Sequence, residues 1–126
     1  MSIKYKVVEK SNPGNPTAPK KWYAMAKSTG ETTLKALGKE ITQRSTVNQA
    51  DTLAVLEALT QVLTEHLSEG KIVRFGDFGS FQISISGEGT ETAAQYNASK
   101  IQKSKVVFRP GVDLKEMQNN LKFEKE

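Results

Sequence analysis

One stretch constrains this chain more than any other: "TLAVLEALTQVLTEHLSEG", from Thr52 to Gly70. Leu53, Leu56, Leu59 with Thr60, Leu63 and Leu67 recur at helical spacing, and Val55, Val62 and His66 widen the apolar stripe. Asn48 stands where an N-cap belongs, with Asp51 three residues on, and Gly70 closes the run in the C′ position. A stripe so broad, on a helix so long, has more to bury than one short neighbour can cover. The chain has 126 residues and a hydrophobic fraction of 37%, so a core shared with a second subunit is the simplest way to bury it.

A shorter helix comes first. Thr32 or Thr33 can cap a run to about Arg44, in which Leu34, Leu37 and Ile41 fall on one face. Gly38 in its middle costs about 1 kcal/mol relative to Ala, which points to a close helix crossing. Ahead of both helices, "IKYKVVE" (3–9) alternates as a strand, "SNPGNPTAPKK" is a Pro- and Gly-rich loop, and "WYAMAKS" (22–28) is a returning strand. Residues 1–31 are therefore expected to form an N-terminal β-hairpin, and 32–126 the main domain.

After the helices, "KIVRF" (71–75) reads as a strand and "GDFGSF" as a turn into the strand "SFQISIS". There Phe81, Ile83 and Ile85 face one way, and Gln82, Ser84 and Ser86 the other. "SKVVFRP" (104–110) alternates again, with Lys103, Lys105 and Arg109 opposite Val106 and Phe108. "VDLKEMQNNL" then predicts a short helix burying Leu114, Met117 and Leu121. From Thr32 onward the order is α-α-β-β-β-α, an α+β chain.

The formal net charge is +4, and its placement is uneven. Residues 1–31 hold six Lys against two Glu, and 100–126 hold seven Lys/Arg against four acids, whereas Thr32 to Leu67 is net negative. A polyanion partner fits that distribution. The absence of Cys excludes disulfides and thiolate metal sites. With no apolar run of spanning length and no h-region near the start, a cytoplasmic chain is expected, with no membrane partner.

Two motifs, "GDFGSF" and "VVFRPGVDLKEMQNN", resemble those of the HU and integration host factor family of bacterial DNA-bending proteins. The family's G-F-G-[NST]-F turn is matched by Asp77-Phe78-Gly79-Ser80-Phe81, and its F-[KR]-P-G-x-x-L-K by Phe108 to Lys115. The resemblance covers roughly residues 32–121, with the two motifs near the family's usual separation. The strand–loop–strand segment ahead of it is similar to variant HU-like proteins of Bacteroidetes. What the resemblance implies is an intertwined homodimer with a helical body, each subunit adding a three-stranded antiparallel sheet to a saddle over double-stranded DNA, weakly sequence-specific and confined to the nucleoid.

HU-type bending uses β-arms that enter the minor groove and wedge an apolar residue between bases. The corresponding segment here departs from that pattern. Residues 82–99 contain no Pro, Lys or Arg, and they carry Glu88 and Glu91. "TETAAQYNASK" pairs Thr92 with Gln95 as a capping box and is rich in Ala, so a short helix or disordered loop is expected in place of an intercalating arm. An HU-fold structural or protein-interaction module that has lost DNA bending is the alternative reading.

The candidate DNA contacts are Arg74, Lys100, Lys103, Lys105, Arg109 and Lys115, each of which could equally be a solvated surface charge. A second candidate is Lys20 and Lys21 beside Trp22, although Trp22 is more simply a core residue. "GDFGS" lacks the G-K-[ST] of a P-loop, and its Asp-Phe-Gly stands without the rest of a kinase. His66 is the sole histidine and is read as a packed or partly exposed helix residue, with no partner His or Cys to make it a ligand. No nucleophile–base pair or carboxylate dyad stands out. The expectation is a non-enzymatic chain with no cofactor, metal or small-molecule substrate.

Overall fold

The computed structural model describes all 126 residues, in two compact units. One comprises Met1–Thr33 with Met117–Glu126, and the other Leu34–Glu116.

In the first unit, β1 (Ile3–Lys10) pairs antiparallel with β2 (Lys21–Ala26), in the register Lys10↔Lys21 to Tyr5↔Ala26. The loop between them turns at Asn12, whose side chain accepts the amide of Gly14. The sequence reading stops here, but the structure adds a third strand. β6 (Phe123–Lys125) runs parallel to β1, giving the order β2-β1-β6. It is held by the Ile3 amide on the Lys122 carbonyl at 2.7 Å and the Glu126 amide on the Tyr5 carbonyl at 2.9 Å. "KFEKE" has too little apolar alternation to announce a strand. The free edge of β1 makes it one.

The second unit holds α1 (Leu34–Arg44) and α2 (Gln49–Ser68). Asn48 caps α2 by accepting the Asp51 amide at 2.9 Å, and Gly70 beyond it takes φ +83°. Gly38 is buried beside Thr52 and Leu56, where the helices cross. The hydroxyls of Thr42 and Thr52 meet across the contact at 3.4 Å, and each also bonds a carbonyl four residues back at 2.9 Å, Thr42 that of Gly38 and Thr52 that of Asn48.

The sheet of this unit has the order β3-β4-β5 and is antiparallel throughout: β3 (Val73–Arg74), β4 (Gly79–Gly87) and β5 (Ile101–Pro110). β3 is shorter than the "KIVRF" run predicted, and β5 begins earlier than expected. α3 (Val112–Asn119) follows, two residues shorter than the sequence suggested, and its Met117 is exposed where burial was expected.

Between β4 and β5 lie two single 3₁₀ turns, Ala93–Gln95 and Ala98–Lys100. The capping box foreseen there does not form. Thr92 makes no side-chain cap, and the Gln95 amide bonds the Thr92 carbonyl instead. Asn97 caps the second turn, accepting the Ser99 amide at 3.0 Å. Three-residue turns satisfy their own backbone without extending into a helix.

The core is thin. Leu67, at 7% exposure, is the one large hydrophobic residue that is buried, and no side chain is fully enclosed. The α1 stripe of Leu34, Leu37 and Ile41 lies open, as do Val55 (64%), Leu59 and Val62 (47%) on α2. An exposed apolar patch of this kind is unusual on a soluble chain and marks a surface suited to contact.

A candidate nucleic-acid interface on the three-stranded sheet

The β4–β5 ladder decides which side chains stand together, because paired residues share a face and neighbours along a strand alternate. On one face Phe81 meets Phe108 and Ile83 meets Val106. Four phenylalanines gather on this side around the turn: Phe81 and Phe108 lie 4.8 Å apart between ring centroids, Phe75 and Phe81 5.6 Å, and Phe78 and Phe108 5.7 Å. Tilted and edge-on rings at such spacing pack favourably.

The two sequence motifs close on each other at this point. The Gly111 amide donates to the Phe78 carbonyl at 2.8 Å, and the Asp113 amide to the Asp77 carbonyl at 3.1 Å. A Cβ on Gly111 would sit 2.3 Å from the Asp77 oxygen, so only glycine permits the approach. This clasp fixes where β5 ends and where Lys115 begins its turn of α3.

The opposite face is polar and basic. Arg74 and Arg109 both pair with Ser80, Lys105 with Ser84 and Lys103 with Ser86. Each of these cations thus has a serine across the ladder, and none of the three strands contains Asp or Glu. The salt bridges found, Lys27–Glu126 and Lys71–Glu69, involve none of the six candidates. These charges are uncompensated by any acid on their own sheet.

The face has two shallow hollows. Arg74, Arg109 and Lys115 share one of about 280 Å³ with Ser80 and Gly111, and Lys103 and Lys105 share one of about 330 Å³ with Ser84 and Ser86. Lys100 stands apart from both. A bulge at Ser86/Gly87 shifts the register just before it, and its carbonyl accepts the Glu88 amide. Five of the six candidates are therefore brought together, and Lys100 is not. The sequence reading missed Ser80, Ser84 and Ser86 as members of the site. Their alternation with Phe81, Ile83 and Ile85 was the available signal.

The other sequence candidate comes apart. Lys21 and Trp22 are adjacent on β2 and so point to opposite faces of their sheet. Trp22, expected in a core, is 64% exposed, because β2 is an edge strand and its unit lays no second layer over that residue. His66 is exposed near the end of α2, 3.5 Å from the Lys71 ammonium through Nδ1. No group of three or more His, Cys, Asp or Glu is placed to hold a metal ion, and no helix is long and apolar enough to cross a membrane.

A solved structure from Bacteroides vulgatus ATCC 8482, reported as a candidate bacterial DNA-binding protein, superposes with a TM-score of 0.68 at 13% identity, over 98% of this chain. This chain spans about half of that one (48%). No curated protein matches in sequence. The sequence profile of the HU-HIG family, described as an HU domain fused to wHTH, Ig or glycine-rich motif, matches residues 1–125. The chain belongs to the HU-HIG family of HU-domain proteins.

Proposed function

We propose that the chain is a non-enzymatic, homodimeric, weakly sequence-specific DNA-binding protein of the nucleoid. Residues 32–126 serve as its HU-like domain and 1–31 as an N-terminal extension, whose sheet β6 completes. The observation that carries the reading is the serine-lined basic face, where Arg74, Lys103, Lys105, Arg109 and Lys115 project without acidic partners. Lys and Arg neutralise phosphates and release counterions, and serine hydroxyls hydrogen-bond phosphate oxygens; neither reads sequence. Family membership and the resemblance to a candidate DNA-binding protein support the same role. The exposed stripes of α1 and α2 support the dimer, since a second copy would cover them.

A mobility-shift titration on random-sequence duplex across salt concentrations tests this. Log K should fall linearly with log salt, and neutralising Lys103, Lys105 and Arg109 to Gln, which removes three cations from each subunit of the dimer, should make the slope shallower by about 5. No binding at low salt sinks the reading.

One observation favours a second reading, an HU-fold interaction module that no longer bends DNA. The β4–β5 connection has Glu88 and Glu91, no Pro and no cation before Lys100, and folds into 3₁₀ turns. Such a tip has neither a wedge nor charge for the minor groove. Fluorescence energy transfer across a labelled duplex separates the two. Binding without bending fits a saddle that grips phosphates alone, whereas absence of both leaves the interaction module.

A further inference from the structure

In the N-terminal unit, strand alternation collects a second set of cations that the sequence leaves scattered. Lys4, Lys6 and Lys10 of β1 lie on one face with Lys21 and Tyr23 of β2. Val8 and Met25 share that face, while Ile3, Tyr5, Val7 and Trp22 lie on the other with Glu9 and Lys125, so the cations gather on one side and most of the large apolar side chains on the other.

Lys10 and Lys21 are directly paired across the ladder, and like charges so placed repel. Neither is in an ion pair, since the two salt bridges lie elsewhere. A hollow of about 550 Å³ opens beside them, lined also by Ser11, Asn12 and Tyr23. The Tyr23 ring is 47% exposed.

The same face already holds an anion. The carboxylate of Glu126 accepts a hydrogen bond from the Lys27 ammonium, and its pKa is held below the ordinary glutamate value by that bond and by the charges of Lys27, Lys6 and Lys4. A field that stabilises one carboxylate at its β6 edge stabilises phosphate along the rest of the strand. Residues i and i+2 on a strand are about 6.6 Å apart, so Lys4 and Lys6 are neighbours on this face and Lys10 stands two such steps beyond Lys6, past Val8. Lys4 faces Glu124 across the β1–β6 ladder, which leaves Lys6, Lys10 and Lys21 as the charges without an acid opposite.

We infer that this face, centred on Lys6, Lys10 and Lys21 with Tyr23, is a second nucleic-acid backbone site, separate from the serine-lined sheet. It rests on the DNA reading above and extends it to residues that no family motif includes. Phosphodiester is favoured over an anionic membrane surface because the face gathers cations with Tyr and Ser hydroxyls, groups suited to phosphate oxygens. The apolar side chains a bilayer would bury lie chiefly on the opposite side.

The test uses the full chain. Lys6→Gln, Lys10→Gln and Lys21→Gln are combined, alone and together with Lys103→Gln, Lys105→Gln and Arg109→Gln, and each protein is titrated against random-sequence duplex over a salt range. The N-terminal triple, with three cations lost from each subunit of the dimer, should make the log–log slope shallower by about 5, additively with the sheet triple, and Lys→Arg at the same three positions should restore it. Loss of binding by the unmodified chain would mean the DNA reading itself has failed. A normal slope in the N-terminal triple, with an altered one in the sheet triple, overturns this inference alone. Loss of binding to phosphatidylserine vesicles with an unchanged duplex slope also overturns it, in favour of a membrane surface. Unchanged circular dichroism in the triple keeps a folding defect from being mistaken for support.

Discussion

The Gly111 amide donates to the Phe78 carbonyl at 2.8 Å and so joins two motifs that are more than thirty residues apart in the chain. Beside that bond, the Phe78 and Phe108 rings pack at a tilt with centroids 5.7 Å apart, and the Asp113 amide reaches the Asp77 carbonyl. The clasp sets the end of β5 against the turn into β4, and with it the positions of Arg109, Arg74 and Lys115 around one hollow. The fold and the basic face depend on the same few backbone atoms.

Gly111→Ala should therefore destabilise the protein by about 1–3 kcal/mol, the range for forcing atoms into a packed site. Its Cβ would meet the Asp77 carbonyl, which is backbone and cannot rotate away. Denaturant unfolding checks this, and a midpoint equal to that of the unmodified chain would show that the turn can open without cost.

Gly38 should behave in the opposite way. An Ala Cβ there would lie 3.6 Å from Leu56 Cδ1, an ordinary contact. Gly38→Ala should gain up to about 1 kcal/mol of helix propensity and raise the melting temperature. A fall in Tm would mean that something outside this chain already fills the space.

Val62 and Leu59 lie on the open face of α2. If a second copy covers that face, the unmodified protein should sediment at twice its 13.9 kDa, and Val62→Asp should shift it towards one chain. A monomeric unmodified protein ends the dimer reading.

Glu126 titrates in the field of Lys27, Lys6 and Lys4, with Glu124 on the same face. Its lowered pKa means that the contact contributes stability above the ordinary carboxylate range, and that this is lost as pH falls through the folded value. Carbon NMR of the Glu126 carboxylate should show a midpoint below that of a free glutamate, and Lys27→Gln should move it up. A midpoint unmoved by that change would place the cause elsewhere.

Much of the architecture is legible in the sequence because it rests on local physics. Asn48 opens α2 through its capping side chain, and Gly70 ends it at a positive φ that the lack of a side chain allows. The Phe81/Ile83/Ile85 alternation foretells which face of β4 is apolar. Glu88, Glu91 and the missing Pro and Lys show, without coordinates, that the β4–β5 connection is no ordinary arm.

What depended on distant partners was not legible. β6 exists because β1 offers a free edge, and "KFEKE" has little strand signal of its own. Trp22 is exposed because no layer of its own unit covers β2, which its aromatic character cannot reveal. Likewise, only register could pair Lys21 with Lys10 and set Arg74 and Arg109 against one serine. The sequence by itself determined the helices, the turns and the alternation of each strand, because these follow from neighbours a few residues away. Tertiary structure decided which charges stand together, because cross-strand pairing joins residues that no local rule connects.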